Sequence, residues 1–543
     1  MNVNAKRMFI VVLLLALVAL AGCSAAPPAE TAAPAGAGAG EAAGGGEAGL
    51  TVIRYPITSD PSSLEPGLVL ELFAGQIALD LHAGLLTYNE NTELTPYIAE
   101  SWDVSDDGTV YTFHLRDDAL WHNGRAVVAE DFKKGWERYL DPNVGAQSGG
   151  APFMGIVGAE AYANGEADDL TGVEALDDHT LQVTLTEPSS SFLQNLAVTT
   201  TWVVPPEAVV AGQPEWVDKP VGAGPFKFVE WQPNVKIVLE ANPDFFLGKP
   251  AIDRIEYVIV PDANTALAQY EAGELDIAAV PPSDLQRVSE DPTLSQELGH
   301  WTRAQLIYAG MNQSMFEPFK DAKVRQAFNY AIDRESIIKN ILNDAWEPAT
   351  GLVPPHIPEY NPDLKGYPYD PEKAQALMAE AGYPNGEGFP PLEIATLDTT
   401  TAEAIAAQLS SNLGIQVEVL QPERGDMIDG LWEHDRWSFF FFGWTADRPS
   451  AAVWLYELLY GGLDSNFPTY YNPDYNALVD KAMAAIDPEE AKGYWQQAEE
   501  LAMEDAAMIP FGYSRYFYLV KPNVKGFSAN LFGPVGFAMV TKE

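Results

Sequence analysis

The sequence predicts an α/β fold, divided into more than one domain, on three observations. The chain has 543 residues, which is more than a single hydrophobic core usually supports. Hairpin and strand patterns dominate its first part, and helical periodicity takes over from about residue 320. Strands and helices alternate over residues 392–444, which indicates parallel strands with helices covering both faces of the sheet.

The first part of the body is predicted to consist mainly of β-hairpins. Asp107 and Gly108 form a turn signal between two alternating apolar runs, which is a good hairpin pattern. A second hairpin turns at Asp177 and Asp178, and the segment GPFKFVEWQPNVKIVLEANPDFF contains two more strands. We expect RIEYVIVP to form a strand that is followed by a helix over residues 263–272.

Four aspartates mark the starts of helices in the second part. Asp321 and Asp333 precede apolar residues at helical spacing, so each is placed to cap a helix N-terminus. Asp370 and Asp487 are each followed by proline, which is favoured in the first helical turn. We therefore expect helices to begin directly after these four residues.

The α/β pattern is clearest after residue 391. LEIATL, IQVEVLQ and WSFFFFGW are predicted strands, and the helices between them are TAEAIAAQLSSNL, which Gly414 ends, and RGDMIDGLWE. The four consecutive phenylalanines 439–442 predict a central strand that is buried on both faces. Asp447 follows just beyond the carboxyl end of that strand, where open α/β sheets bind ligands.

Composition and charge exclude several classes of protein. The chain is 47% hydrophobic and 20% charged, so most of it is expected to fold. Its formal net charge of −46 argues against nucleic-acid binding, because phosphate backbones require Lys and Arg. An anionic membrane surface would repel the body as well. The charge does not indicate a cationic ligand, since net charge governs solubility and not a particular site.

The N-terminal residues 1–22 have the layout of a secretory signal peptide, with Lys6 and Arg7 ahead of a short apolar run. Cys23 is the only cysteine in the chain, so no internal disulfide can form. LAGC resembles a bacterial lipobox, which implies that Cys23 carries a lipid; an ordinary signal peptide with an unrelated cysteine is the alternative. Residues 24–49 are rich in Ala, Gly and Pro, and they predict a flexible linker ahead of the folded body.

Five stretches of the body resemble the substrate-binding lipoproteins of oligopeptide and dipeptide ABC importers. They are PYIAESWDVSDDGTVYTFHLRDDALWHNGRAVVAEDF (96–132), PVGAGPFKFVEW (220–231), VLEANPDFFLGKPAIDRIEYVIVPDANTALAQYEAGELDIA (238–278), DAKVRQAFNYAIDRESI (321–337) and YDPEKAQALMAEAGYPNG (369–386). The stretches follow the order of the family, and the resemblance covers essentially Leu50 to Glu543.

This resemblance implies a two-lobed, periplasmic-binding-protein-like fold with hinge strands and an extra third domain. Mapped onto the chain, domain I combines residues 50–88, 210–308 and 513–543, domain II covers residues 89–209, and domain III covers residues 309–512. The hinge strands are expected near residues 306–313 and 509–515.

The resemblance also implies a site in which a peptide is held as an added strand. In the family an Asp that follows a Trp binds the peptide's α-ammonium, and GWTAD places Trp444 and Asp447 at the matching positions. A strand-like ligand contact is expected over about residues 73–77, with Phe73, Ala74 and Gly75 as its candidate binding residues.

These site residues also have other interpretations. The family often continues the Asp with Tyr, whereas this chain has Arg448, which can pair with Asp447 and weaken it as an ammonium receptor. Asp447 or Ser450 can instead cap the helix that follows. Trp444 can equally be an ordinary core residue.

No motif for metal binding or catalysis stands out. The seven histidines contain no i, i+4 pair, which argues against a structural zinc site. G-x-S-x-G, H-E-x-x-H and phosphate-loop motifs are absent, although a carboxylate pair for glycoside hydrolysis has no sequence signature. We therefore predict no cofactor, no metal and no enzymatic activity.

The resemblance implies a monomeric receptor outside the cytoplasm, held to the cell membrane by its lipid alone. It would capture a short peptide by lobe closure and deliver it to the permease subunits of an ABC importer. Two alternatives stay open. One is a receptor of the same fold for an oligosaccharide or another non-peptide solute, and the other is an anchored extracellular hydrolase.

Overall fold

The computed structural model describes residues 49–543 except residues 70, 147–149, 190 and 210–219. The predicted signal peptide, the predicted lipid site Cys23 and nearly all of the predicted linker lie outside the described residues. Among the helices that are described, none is both long enough and apolar enough to cross a bilayer.

The strands of the described chain are numbered in chain order. They are β1 (Val52–Ile57), β2 (Leu86–Tyr88), β3 (Leu94–Pro96), β4 (Ala99–Val104), β5 (Val110–Leu115), β6 (Val173–Asp177), β7 (Thr180–Thr184), β8 (Phe226–Gln232), β9 (Lys236–Ala241), β10 (Arg254–Ile259), β11 (Ile277–Ala279), β12 (Leu298–Met311), β13 (Trp346–Pro348), β14 (Leu392–Thr396), β15 (Val417–Leu420), β16 (Phe439–Thr445), β17 (Ile509–Val520), β18 (Val524–Lys525), β19 (Ala529–Asn530), β20 (Gly533–Pro534) and β21 (Thr541–Lys542).

The α-helices are numbered in the same way. They are α1 (Leu72–Leu81), α2 (Ala129–Leu140), α3 (Ala159–Ala163), α4 (Phe192–Leu196), α5 (Ala263–Glu271), α6 (Pro282–Glu290), α7 (Leu294–Glu297), α8 (Ala322–Ala331), α9 (Arg334–Asn340), α10 (Pro371–Glu380), α11 (Thr399–Leu413), α12 (Arg424–Glu433), α13 (Ala452–Leu455), α14 (Pro473–Ala484) and α15 (Pro488–Glu504).

Three larger sheets organise these elements. One has the strand order β1-β10-β9-β8, and a second has the order β4-β5-β7-β6. The third has seven strands, in the order β11-β17-β12-β16-β14-β15 with β13 also paired to β17. The predicted hairpins are confirmed, because β4 pairs with β5 and β6 with β7 in antiparallel register.

The predicted helix starts are confirmed as well. Each of the four predicted capping aspartates accepts a hydrogen bond from a backbone N–H two or three residues further along. Such a bond satisfies one of the N–H groups that a helix leaves without an internal partner at its start. Helices α8, α9, α10 and α15 begin directly after these residues.

Phe439, Phe440 and Phe441 of strand β16 are buried on both faces, as predicted, whereas Phe442, which the prediction included, is half-buried. Phe439 and Phe441 pack into a core that includes Ile405 of α11, and Phe440 packs into another core that includes Met427 of α12. Strand β16 is parallel to β14 on one side. Its other neighbour is the antiparallel β12, so the sheet is mixed and not purely parallel. The alternation of strands and helices over residues 392–444 could not predict this, because β12 lies outside that segment.

Gly310 of β12 lies directly opposite Phe440 in the ladder, and the ring of Phe440 covers it. A Cβ atom at residue 310 would lie 2.0 Å from Cζ of Phe440, which is closer than real carbon atoms approach. The absence of a side chain at residue 310 therefore lets the aromatic ring lie flat against the central strand.

Gly310→Ala is expected to lower the free energy of unfolding by about 1–3 kcal/mol, because the added methyl must displace a buried ring. Urea denaturation of the two proteins measures the change. Gly493→Ala is the matched control. It lies within α15 with open space around its Cβ position, so the substitution should stabilise the protein slightly. Equal stability of Gly310→Ala and the wild type would contradict this account of the packing.

Strands β12 and β17 are long, with 14 and 12 residues, and they pair in antiparallel register from Leu298 opposite Leu519 to Ala309 opposite Ile509. They include most of the residues expected to form the hinge, although β12 ends at Met311 and residues 312–313 follow it. The domain boundaries and the hinge motion stay predictions.

Candidate functional site

A cavity of about 820 Å³ lies where α1, the carboxyl end of β16 and the C-terminal residues 530–535 meet. Its volume is in the range of small-molecule binding sites. Segments assigned to all three predicted domains contribute to its wall. Tyr55 and Tyr516 come from predicted domain I, Thr199 from predicted domain II, and Asp447 from predicted domain III.

Two of the three residues predicted near the start of the chain line this cavity. Phe73 and Gly75 are part of its wall, whereas Ala74 is buried behind it at 1% exposure. The expected strand at this point is wrong, because the three residues belong to the first turn of α1. LFAGQIALDL is rich in good helix formers, a signal that placement by family resemblance did not use.

Helix α1 is fixed in place by a buried carboxylate. Asp80 is fully buried, and its Oδ1 accepts a hydrogen bond of 2.8 Å from the backbone N–H of Phe537. Its Oδ2 accepts a second bond from the hydroxyl of Tyr257. Burial raises the pKa of Asp80 to about 7, although both hydrogen bonds oppose the rise. Two parts of the cavity wall, α1 and the segment that ends at Phe537, are therefore joined through one carboxylate.

Asp447 lies two residues beyond the end of β16 and lines the cavity, in the place the sequence predicted. Its side chain is 61% exposed. Within the described residues Asp447 makes no capping bond to α13, whose N-cap is Ala451. The Oγ of Ser450 accepts instead from the backbone N–H of Ala452, at 3.3 Å. The carboxylate of Asp447 is thus turned toward the cavity and not toward the helix.

Arg448 does pair with Asp447, and it also contacts Glu457. Its Nη1 lies 2.8 Å from Oδ1 of Asp447, and its Nη2 donates to Oε1 of Glu457. Burial alone would lower the pKa of Arg448, but the charges of the two acids raise it. Two carboxylates share one guanidinium, so this group of three residues carries one net negative charge. The Oδ2 atom of Asp447 has no hydrogen-bond partner among the described residues.

Tyr88 adds a polar group close to this acidic cluster. Burial raises the pKa of its hydroxyl, the charge of Asp447 raises it further, and Arg448 opposes both effects. The hydroxyl donates a hydrogen bond of 2.9 Å to the backbone oxygen of Gln194. The ring centroid lies 5.5 Å from that of Phe532, so the two aromatic side chains form one side of the cavity.

Trp444 does not line the cavity. Its half-buried indole packs against the core beside α12, with its ring centroid 5.9 Å from that of Phe467 at an interplanar angle of 73°. Strand residues alternate between the two faces of a sheet, so Trp444 and Thr445 point in opposite directions. The predicted contact between Trp444 and a ligand stays a prediction.

Sequence reasoning missed Arg303, a cavity-lining cation on β12. Its guanidinium carbon lies 5.2 Å from the ring centroid of Tyr516. The described part of the chain places no carboxylate within ion-pairing distance of Arg303, and its buried Nε has no hydrogen-bond partner there. The one feature of the sequence that could have indicated Arg303 is its charge within the largely apolar run WTRAQLIYAGM. The residues that surround Arg303 in the fold could not be predicted, because they are brought there by pairing between strands far apart in the chain.

Among the described residues, no three His, Cys, Asp or Glu side chains converge as metal ligands would. The arrangement can hold an ammonium beside Asp447, an anion beside Arg303 and apolar groups against the aromatic wall.

Residues 93–467 match the family described as "Bacterial extracellular solute-binding proteins, family 5 Middle". Two curated relatives align over most of their length. Heme-binding protein A of Haemophilus influenzae is 30% identical over 90% of this chain and 92% of its own. The dipeptide-binding protein DppE of Bacillus subtilis is 31% identical over 88% of this chain and 89% of its own.

A solved structure is similar over the same region. The periplasmic oligopeptide-binding protein of Borrelia burgdorferi superimposes with a TM-score of 0.74 at 27% identity, and it covers 91% of this chain and 100% of its own. The predicted α/β fold of the two-lobed periplasmic binding proteins is thereby confirmed.

Proposed function

This chain belongs to the bacterial extracellular solute-binding proteins of family 5, and from that premise we propose that it captures short peptides for an ABC importer. The named relatives are binding proteins and not enzymes, so the prediction that the chain is not an enzyme is confirmed. Their names include both heme and peptides, so the ligand class has to be argued from the cavity of this chain.

The observation that carries the peptide proposal is the geometry of Asp447. Its carboxylate is mostly exposed at the cavity wall, Arg448 contacts only one of its oxygens, and the local group keeps one negative charge. A peptide's α-ammonium provides the single positive charge and the N–H donors that such a carboxylate accepts. The aromatic wall offers apolar surface to the peptide side chains.

Capture requires no chemical change in the ligand. A peptide that contacts Asp447 of predicted domain III together with Tyr516 of predicted domain I favours the arrangement in which both contacts exist. Binding therefore shifts the population toward the closed state by the difference in affinity between open and closed states. Closure also removes water from around the carboxylate, which strengthens its attraction for the ammonium.

The proposal extends to anchoring and delivery. The chain would be held outside the cytoplasm by a lipid on Cys23, at the end of the predicted linker, and would act as a monomer that presents its closed form to a membrane permease. The lipobox pattern and the family membership support this part of the proposal.

Native mass spectrometry tests the proposal on protein that is purified without unfolding from its own host. A ladder of co-purified peptides supports it. An intact oligosaccharide or another solute without an amino terminus contradicts it in favour of a non-peptide receptor. Turnover of an added polymer, followed by the release of its fragments, contradicts the binding account altogether.

A further inference from the structure

The turn between β2 and β3 contains a strained residue. Residues 90–92 form a short loop, which is closed by hydrogen bonds from the N–H of Asn89 to the oxygen of Glu93 and from the N–H of Thr92 to the oxygen of Asn89. Thr92 has a φ of 63°, the left-handed conformation that the last residue of such a loop adopts and that favours glycine. A β-branched residue in this conformation is an outlier. Thr92 thus holds a backbone conformation that its own side chain opposes.

The side chain of Thr92 makes a long-range contact. Thr92 is 9% exposed, and its Oγ1 accepts a hydrogen bond of 3.3 Å from the backbone N–H of Leu531, 439 residues away. Beside it, Nδ2 of Asn530 donates to the backbone oxygen of Asn89 at 3.3 Å. Glycine at residue 92 would relieve the backbone but could not accept the bond from Leu531. The strain therefore accompanies a contact that only a side chain can make.

The segment that this turn holds forms part of the cavity wall. Asn530, Phe532 and Gly533 line the cavity. Leu531, which lies between them in the chain, is 4% exposed and belongs to the core that includes the central strand β16. Thr92 is not part of the wall, so it can act on the cavity only through the segment that it holds.

The same segment is bonded to the strand end that carries Asp447. The oxygen of Leu531 accepts a hydrogen bond of 2.8 Å from the N–H of Ala304 on β12. The oxygen of Ala304 in turn accepts one of 2.8 Å from the N–H of Ala446, the residue before Asp447. A continuous series of hydrogen bonds therefore runs from the hydroxyl of Thr92, in predicted domain II, to the backbone beside Asp447, in predicted domain III.

We propose that Thr92 is a positioning residue for the cavity: its hydroxyl fixes the wall at residues 530–533 and, through Ala304, the backbone that carries Asp447. This inference rests on the proposed function, because it requires that a ligand contact this wall and Asp447. It adds a residue outside the cavity whose strained backbone lowers local stability while its side chain holds the site in one geometry.

Three variants of the full-length protein test this role. Thr92→Ser keeps the hydroxyl, whereas Thr92→Gly removes it and relieves the positive φ. Asn385→Gly is the matched control, because it relieves a φ of 55° at an exposed residue outside the cavity wall. Urea denaturation measures stability. Equilibrium dialysis with a pool of short peptides that have free amino termini, followed by mass spectrometry, measures binding. Hydrogen exchange measures the protection of the N–H groups of Leu531 and Ala446.

Thr92→Gly should keep about the stability of the wild type, because the strain removed and the hydrogen bond lost are of similar size. It should bind the peptides about fivefold more weakly, the factor that corresponds to one typical hydrogen bond. The N–H groups of Leu531 and Ala446 should exchange faster in this variant. Thr92→Ser should restore both binding and protection to the level of the wild type, and Asn385→Gly should leave both unchanged.

The possible contrary results are distinct. Binding and exchange that are unchanged in Thr92→Gly overturn the positioning role. A loss of binding with a matching loss of stability also overturns it, because the hydroxyl then only supports the fold. A wild-type protein that binds no peptide overturns the proposed peptide function. In that case faster exchange in Thr92→Gly still supports the role of Thr92 in fixing this wall, and unchanged exchange overturns that role as well.

Discussion

Replacing Asp447 by asparagine is expected to weaken peptides with a free amino terminus by about 30- to 150-fold. That loss corresponds to about 2–3 kcal/mol, at the lower end for truncating one member of a charge pair, since the side chain is 61% exposed before a ligand binds. Asparagine keeps an oxygen that can accept from Arg448, so the substitution removes the charge and preserves the local contact. Isothermal titration calorimetry with one peptide and its N-acetylated form measures the effect.

The acetylated peptide separates an ammonium site from a general loss of binding. Its affinity should be low for both proteins and should change little between them, because it offers no ammonium to Asp447. Asp429→Asn, an exposed carboxylate on α12, is the control for a change in net charge and should bind as the wild type does. Equal losses for the free and the acetylated peptide would exclude the proposed role of Asp447.

Asp80 is expected to make the protein less stable as the pH rises from about 4 to about 7. Burial raises its pKa from 3.8 to about 7, a difference that corresponds to about 4 kcal/mol. Between these two values the unfolded chain has released the proton while the folded chain keeps it. Raising the pH therefore favours unfolding over this interval. The stabilising contribution is fully present below about pH 4 and is lost as the pH passes 7.

Asp80→Asn should remove this dependence, because an amide does not ionise and its oxygen can still accept from the backbone N–H of Phe537. Urea denaturation measures the free energy of unfolding of each protein at pH 5 and at pH 8. The decrease from pH 5 to pH 8 should be about 2–3 kcal/mol smaller in the variant than in the wild type. Burial also lowers the pKa of His82 to about 3 and raises that of Glu499 to about 7. Both groups are present in both proteins, so the comparison isolates Asp80. Parallel stability curves would contradict this account.

Local patterns in the sequence predicted much of the fold. Asp321 and Asp370 cap helices because a cap depends only on residues two or three positions away. The burial of Phe439 and Phe440 on opposite faces follows from a continuous apolar run between two helices. The same run predicted where Asp447 lies, because the residues that directly follow a strand lie at the carboxyl end of that strand, where open α/β sheets bind ligands.

The rest of the site depends on contacts between residues far apart in the chain. Arg303 faces the cavity because β12 pairs with β16 in one particular register, and no periodicity within β12 specifies that partner. Asp80 is buried through a hydrogen bond to Phe537, 457 residues away. Helix α1 was missed for a different reason, since resemblance alone placed Phe73 and Gly75 and their helix-forming neighbours were not considered.

The position of the bound ligand's ammonium tests the central claim most directly. It can be measured in a crystal structure of the protein that retains its co-purified ligand. We predict that the ammonium nitrogen lies within about 3 Å of the Asp447 carboxylate, in the cavity that Tyr516 and Phe73 also line. A ligand without an ammonium group, or a peptide whose amino terminus lies away from Asp447, would contradict the account.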